Sequence, residues 1–238
     1  MIRVVAERLP QPITLPMSVE RISPRTNEQR ALISRNAAEL FARKGFAATS
    51  MNEIAEASHL SKPGLYHHFK DKAEVLFHIA DGHVSRLADI VTGVEAMELT
   101  PERRLPELIK AFMLEYAEAQ NEHRVLTEDV RFLDAEAQAC VLDKERAVVR
   151  VFSDAVAAAR PDLDGTQLPK LLTMFLFGML NWMFTWFQPN GRFTYAEIAP
   201  IATQLFLHGV AGVEAEDPAV VGRRRKTSAS RGGPRAST

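Results

Sequence analysis

Thr49-Ser50-Met51-Asn52-Glu53-Ile54-Ala55-Glu56-Ala57-Ser58-His59-Leu60-Ser61-Lys62-Pro63-Gly64-Leu65-Tyr66-His67-His68-Phe69-Lys70-Asp71-Lys72 is the stretch that decides the fold. Ser50 and Glu53 have the spacing of a capping box, which predicts a short helix over about Met51–Ala57 with Ile54 and Ala55 inward. Ser58-His59-Leu60 leaves room only for a tight turn. Ser61 opens a third helix, and Pro63 falls in its first turn, where a missing N–H is harmless. Two short helices joined by three residues have the dimensions of a helix-turn-helix, whose second helix enters the major groove. Many helical hairpins share that length, so composition has to add to it. Ser61, Lys62, Gly64, Tyr66, His67 and Lys70 are short or hydrogen-bonding. Gly64 allows the backbone close to DNA. Tyr66 and Lys72 can reach phosphates, and Lys62 a base edge or a phosphate. Leu60, Leu65 and Phe69 are expected in the core. Of the neighbours His67 and His68, one should face DNA and the other pack. Tyr66 has a bland alternative, a half-buried core residue with a wet hydroxyl.

Outward from this stretch the chain reads as all helix. Before it, Ile33, Ala37, Leu40 and Phe41 form the apolar face of a helix over about Asn27–Lys44, stopped by Gly45, with Phe46 folding back on the core. After it, Asp71 caps a long helix over about Lys72–Glu95 that carries Leu76, Ile79, His83, Leu87 and Ile90 on one side. Further helices are expected from Pro101, over about Asn121–Ala159 as a broken pair, over Gln167–Phe187, and over Tyr195–Gly212. The resulting division is a flexible arm at 1–24, a DNA-binding unit at 25–72, a helical ligand-binding and dimerisation domain at 73–213, and a disordered basic tail at 214–238.

Net charge is −1, but it is polarised: +2 over residues 1–83, −9 over 84–221 and +6 over 222–238. An acidic middle repels phosphates, so nucleic acid must meet the N-terminal third or the tail. A general DNA-packaging protein would be basic throughout and is disfavoured. One cysteine, Cys140, excludes an internal disulfide and fits a reducing compartment. The first 18 residues lack the continuous apolar core of a signal peptide, so the expected location is cytoplasmic. Leu171–Phe187 is uncharged but short of a membrane span, and reads as a helix buried between subunits. The histidines form no HExxH pattern, and no phosphate loop or nucleophile elbow occurs. No catalytic residue, metal or cofactor is expected.

The run from Thr49 to Ala57, followed by Leu60-Ser61-Lys62-Pro63-Gly64-Leu65-Tyr66-His67-His68-Phe69-Lys70-Asp71-Lys72, resembles the TetR family signature, closely over residues 27–75. The resemblance implies an all-α transcriptional repressor that binds a palindromic operator in double-stranded DNA as a homodimer and is released by a small molecule. It places Ser50, Ser61, Lys62, Gly64, Tyr66, His67 and Lys72 at the DNA. The family commonly has glycine in the turn where this chain has His59, a residue that tolerates the left-handed conformation better than most.

Beyond the fourth helix the residues themselves carry more of the argument. The Leu171–Phe187 helix needs cover on more than one side, and the last helix offers a partner face, so two such helices from each of two chains would form a four-helix interface. Phe112, Met113, Tyr116, Phe132, Phe152, Trp182 and Trp186 are candidates to line a cavity, against the alternative that they are plain core. Arg124 and Arg131 are candidates for an anionic ligand, against the alternative of a solvated or salt-bridged face. Leu180 to Arg192 also resembles the branch of TetR regulators that respond to acyl-CoA thioesters of fatty-acid, sterol or aromatic-acid breakdown. The expected effector is therefore an acyl-CoA, with a neutral hydrophobic or drug-like inducer as the rival.

Overall fold

The computed structural model describes residues 24–187 and 191–212. The described residues form α1 (Pro24–Lys44), α2 (Met51–Ala57), α3 (Lys62–His68), α4 (Lys72–Glu95), α5 (Pro101–Glu118), α6 (Gln120–Glu128), α7 (Ala135–Ala159), α8 (Leu168–Asn181) and α9 (Tyr195–Ala211), with single 3-10 turns at Val130–Phe132, Pro161–Leu163 and Trp182–Thr185. The described residues are all-α, as the sequence predicts. The arm expected over 1–24, save Pro24, and the tail expected over 214–238 lie outside the described residues.

α4 is the axis of the molecule. It packs on α1 at its start and on α5, α6 and α7 further along, while α9 lies on α5, and α8 on α7. α1 also packs on α6, so the first three helices do not stand apart. One buried apolar cluster runs from Ile33 through Leu76 and Phe112 to Val210. The expected boundary at residue 72 is the first residue of α4, and the core passes through it without a break.

Local signals place the helix ends. The α2 capping box forms: Glu53 N donates to Ser50 Oγ at 3.3 Å, and Ser50 N donates to the Glu53 carboxylate at 2.8 Å. Asp71 caps α4 by accepting from Glu74 N at 2.8 Å. Gly45 terminates α1 at φ +84°, and His59 takes the left-handed turn conformation at φ +54° that histidine tolerates at modest cost.

The expected Gln167–Phe187 helix is not continuous. α8 ends at Asn181 and the chain tightens into a 3-10 turn; there the Tyr116 hydroxyl donates to Asn181 Oδ1 at 2.9 Å. Leu172, Thr173, Leu176, Phe177 and Leu180 are buried, whereas Leu171, Met174 and Phe175 are exposed. The helix is apolar on both sides, but the chain covers only one of them. No described helix is long and apolar enough to cross a membrane.

Candidate reading head and effector cavity

α2 and α3 are held by buried Ile54, Ala55, Leu65 and Phe69. This leaves Ser61, Lys62, Tyr66, His67 and Lys70 exposed on and beside α3. Tyr66 is 44% exposed. His67 is exposed and His68 half-buried, as neighbours about 100° apart on a helix should be. Gly64 has a structural reason beside close approach to DNA. A Cβ there would lie 3.2 Å from Ser61 Oγ, the hydroxyl that caps α3 by accepting from Gly64 N at 3.2 Å.

Two expected DNA contacts change meaning. The Ser50 hydroxyl accepts from Glu53 N and donates to Glu53 Oε2 at 2.9 Å, so the cap spends it internally. Lys44 pairs with the same carboxylate, and these bonds, with Lys44 first, hold the Glu53 pKa down at about 2. Lys72 Nζ donates to Phe46 O at 2.6 Å, Thr49 O at 2.7 Å and Ala47 O at 3.3 Å. It also sits 4.4 Å from the centre of the Phe46 ring. Three ammonium protons meet three carbonyls, so Lys72 is a clamp on the α1–α2 loop and not a free phosphate donor. Sequence reasoning missed a second clamp, Arg30 on α1. Its guanidinium donates to His68 O, pairs with Glu74 at 3.1 Å and lies 4.1 Å from the Phe69 ring centre.

A cavity of about 170 Å³ lies between α4, α5, α6, α7 and α8, with Val84, Leu87, Phe112, Tyr116, Leu126 and Phe177 in its apolar wall. Its polar lining is His123, Thr127, Glu145 and Asn181. Tyr116 stacks on His123 with ring centres 3.7 Å apart, and His123 Nδ1 is 3.3 Å from His83 Nε2. His83 in turn lies 3.5 Å from Glu115 Oε1, which accepts from Arg86 Nε at 2.8 Å. A polar relay thus runs from Arg86 at the surface to the cavity wall. Burial dominates its titration: desolvation, then the neighbouring His83, lowers the His123 pKa to about 3, so the ring is neutral. Desolvation raises the Glu145 pKa.

A second cleft of about 720 Å³ lies between the α1–α2 loop and the end of α6 with the 3-10 turn after it, lined by Phe46, Arg131, Phe132 and Trp182 among others. Phe46 and Phe132 stack there at 5.2 Å. Thr127 lines both spaces.

Residues 33–79 match the family described as bacterial regulatory proteins, tetR family, and residues 98–210 match the tetracyclin repressor-like C-terminal domain. A TetR-family transcriptional regulator from Bordetella parapertussis 12822 is 31% identical, with a TM-score of 0.73 over 79% of this chain and 98% of that one. This chain belongs to the TetR family. The structure of AibR in complex with isovaleryl coenzyme A and operator DNA is 27% identical, with a TM-score of 0.67 over 75% of this chain and 98% of that one. The transcriptional repressor KstR2 of Mycobacterium tuberculosis is 22% identical across 81% of this chain and 98% of its own length. The relatives of this TetR-family regulator are DNA-binding transcription factors rather than enzymes.

The TetR-family fold does not bring the expected ligand residues together. Phe112 and Tyr116 line the cavity. Met113 and Phe152 are fully buried, Phe152 edge-on to Phe112 at 4.8 Å, and belong to the packing around it. Trp182 and Trp186 are 63% and 58% exposed because α8 ends before them; Trp182 lines the second cleft with Arg131 and Phe132 instead. Arg124 pairs with Glu128 at 3.0 Å on the surface, the salt-bridged alternative. The lining residues His123, Glu145 and Asn181 were not singled out from sequence. The legible signal was a polar residue inside an apolar run, which applies to Asn181, and to His83 behind His123. Glu145 carried none.

Proposed function

We propose that this TetR-family protein is a cytoplasmic repressor that binds a palindromic operator as a homodimer and is released by an acyl-CoA thioester. The carrying observation is the position of the cavity against α4. Val84 and Leu87 of that helix line it, and Lys72, the first residue of the same helix, clamps the loop that leads into α2. A ligand that prefers a shifted α4 lowers DNA affinity by as much as it prefers that shape. Two recognition helices must fit successive major grooves together, so a shift of a few ångströms on the scale of groove fit weakens both half-sites.

The acyl group occupies the small cavity, and the CoA chain leaves past Thr127 toward the cleft that holds Arg131 and Trp182. An apolar cavity of about 150 Å³ holds a benzene ring, so a short branched or single-ring acyl group suits this one and a long chain does not. The similarity to AibR with its isovaleryl coenzyme A supports this reading. Lys62, Tyr66, His67 and Ser61 make the DNA contacts. The dimer forms through the exposed stripes of α8 (Leu171, Met174, Phe175) and α9 (Ile201, Leu205).

A gel shift on DNA upstream of the gene, titrated with short, aromatic and long acyl-CoAs, tests this. Short or aromatic thioesters should dissociate the complex. Release by free acids or neutral hydrophobes alone would refute the thioester reading and leave the repressor. Phe175→Glu should convert dimer to monomer or aggregate in sedimentation, since a buried unpaired charge costs several kcal/mol; a native protein that sediments as a monomer at micromolar concentration would refute the dimer.

A further inference from the structure

We infer that the cavity selects an uncharged carbonyl compound and rejects the corresponding carboxylate, with Asn181 donating to the carbonyl oxygen and Glu145 as the group that excludes anions. The inference rests on the effector reading of this cavity and specifies the chemistry of what enters it.

Asn181 supplies the donor. Its amide oxygen already accepts from the Tyr116 hydroxyl at 2.9 Å, and so the NH₂ is what it can offer a ligand. The Thr127 hydroxyl is spent on His123 O at 2.9 Å. Glu145 lines the same space and has no hydrogen-bond partner among the described residues. Its burial raises its pKa, and in its ionised form it repels a carboxylate. Among the described lining residues none is lysine or arginine. The Arg86 guanidinium is held outside by Glu115, and His123 is neutral.

An anion entering here would lose its hydration with no cation to receive it, and burying an unpaired charge is strongly unfavourable. A carbonyl oxygen would meet the Asn181 NH₂ instead. An ammonium group would also lose its hydration, with Glu145 the one described lining residue that could carry a compensating charge. The apolar wall of Phe112, Leu126 and Phe177 takes the hydrocarbon body. Esters, thioesters and amides fit; their parent acids do not. The effector is then a product of carboxylate activation, and the protein distinguishes it from the acid before activation.

Isothermal titration of the full-length protein at neutral pH with benzamide, methyl benzoate, benzoate and benzylammonium tests this, because the ring is constant and only the charge changes. The neutral carbonyl compounds should bind at least ten-fold more tightly than benzoate or benzylammonium. Glu145→Gln should tighten benzoate several-fold and narrow that gap. Asn181→Leu should weaken the neutral compounds about ten-fold without helping benzoate. Benzoate binding as well as benzamide, benzylammonium binding most tightly, or an unchanged ratio in Glu145→Gln would overturn the inference while leaving the cavity as the effector site. If no probe binds, and Phe112→Trp, which fills the cavity, leaves acyl-CoA release of DNA unchanged, the effector site itself is wrong and the inference falls with it.

Discussion

Replacing Lys72 with methionine separates a clamp from a phosphate contact. The side chain keeps most of its length but loses the ammonium that reaches Phe46 O at 2.6 Å and Thr49 O at 2.7 Å. A hydrogen bond from a charged donor is worth roughly 1.5–3 kcal/mol. The site is only half-buried, so water can recover part of each bond, and the pair together should cost about 2 kcal/mol at that scale. For a chain of this size, each kcal/mol moves Tm by roughly 2–4 °C, giving a fall of about 4–8 °C. Operator affinity should fall as well, because the loop that leads into α2 loosens. The dependence of affinity on salt is what discriminates. Each phosphate neutralised contributes about −0.9 to the slope of log K against log salt. A clamp leaves that slope unchanged, whereas loss of one phosphate contact per protomer would reduce it by about 1.8 in a dimer. Thermal melts and a salt series on Lys72→Met, with Lys62→Ala as the exposed comparison, give both numbers. An unchanged Tm with a reduced slope would refute the clamp.

Three other outcomes follow from the same geometry. Phe152→Ala removes a ring packed at 4.8 Å from Phe112 and 4.9 Å from Phe177, and should lower stability by about 3–5 kcal/mol in urea titration; a loss under 1 kcal/mol would mean that the core around the cavity collapses freely. His123 stays neutral to about pH 3 when folded but takes a proton in the ordinary histidine range when unfolded, so acid favours the unfolded chain. Stability should fall by roughly 1.4 kcal/mol per pH unit below about 6.5. The raised Glu145 works in the opposite sense, its contribution being lost as pH rises above the ordinary carboxylate range, so the readout is the difference between wild type and His123→Gln; parallel curves would contradict a buried neutral ring. Gly64→Ala should crowd the Ser61 cap, cost about 1 kcal/mol of stability and weaken operator binding, and an unchanged melt would show that the cap yields without loss.

Sequence alone determined the N-terminal helices α1 to α4, because their ends are set by neighbours along the chain. The Ser50–Glu53 spacing, Pro63 in a first turn, Asp71 before α4 and the stop at Gly45 each act within one helical turn. They place α2 and α4 at the residues the sequence predicts. The apolar stripe of α1 likewise points inward wherever the helix lies, and Ile33, Ala37, Leu40 and Phe41 are all buried. Tertiary structure decided what polar side chains do. Lys72 and an exposed phosphate-binding lysine look the same in sequence, and only the return of the α1–α2 loop, some 25 residues away in the chain, brings carbonyls to its ammonium. Trp182 and Trp186 carry an apolar signal that suits a cavity wall, yet α8 ends at Asn181 and turns them out. Glu145, an ordinary helix-surface glutamate by spacing, lines the cavity because α7 packs against α4 and α8. Hydrophobic periodicity records which face of a helix is buried, but not which neighbour covers it, and the chemistry of the cavity belongs to that second choice.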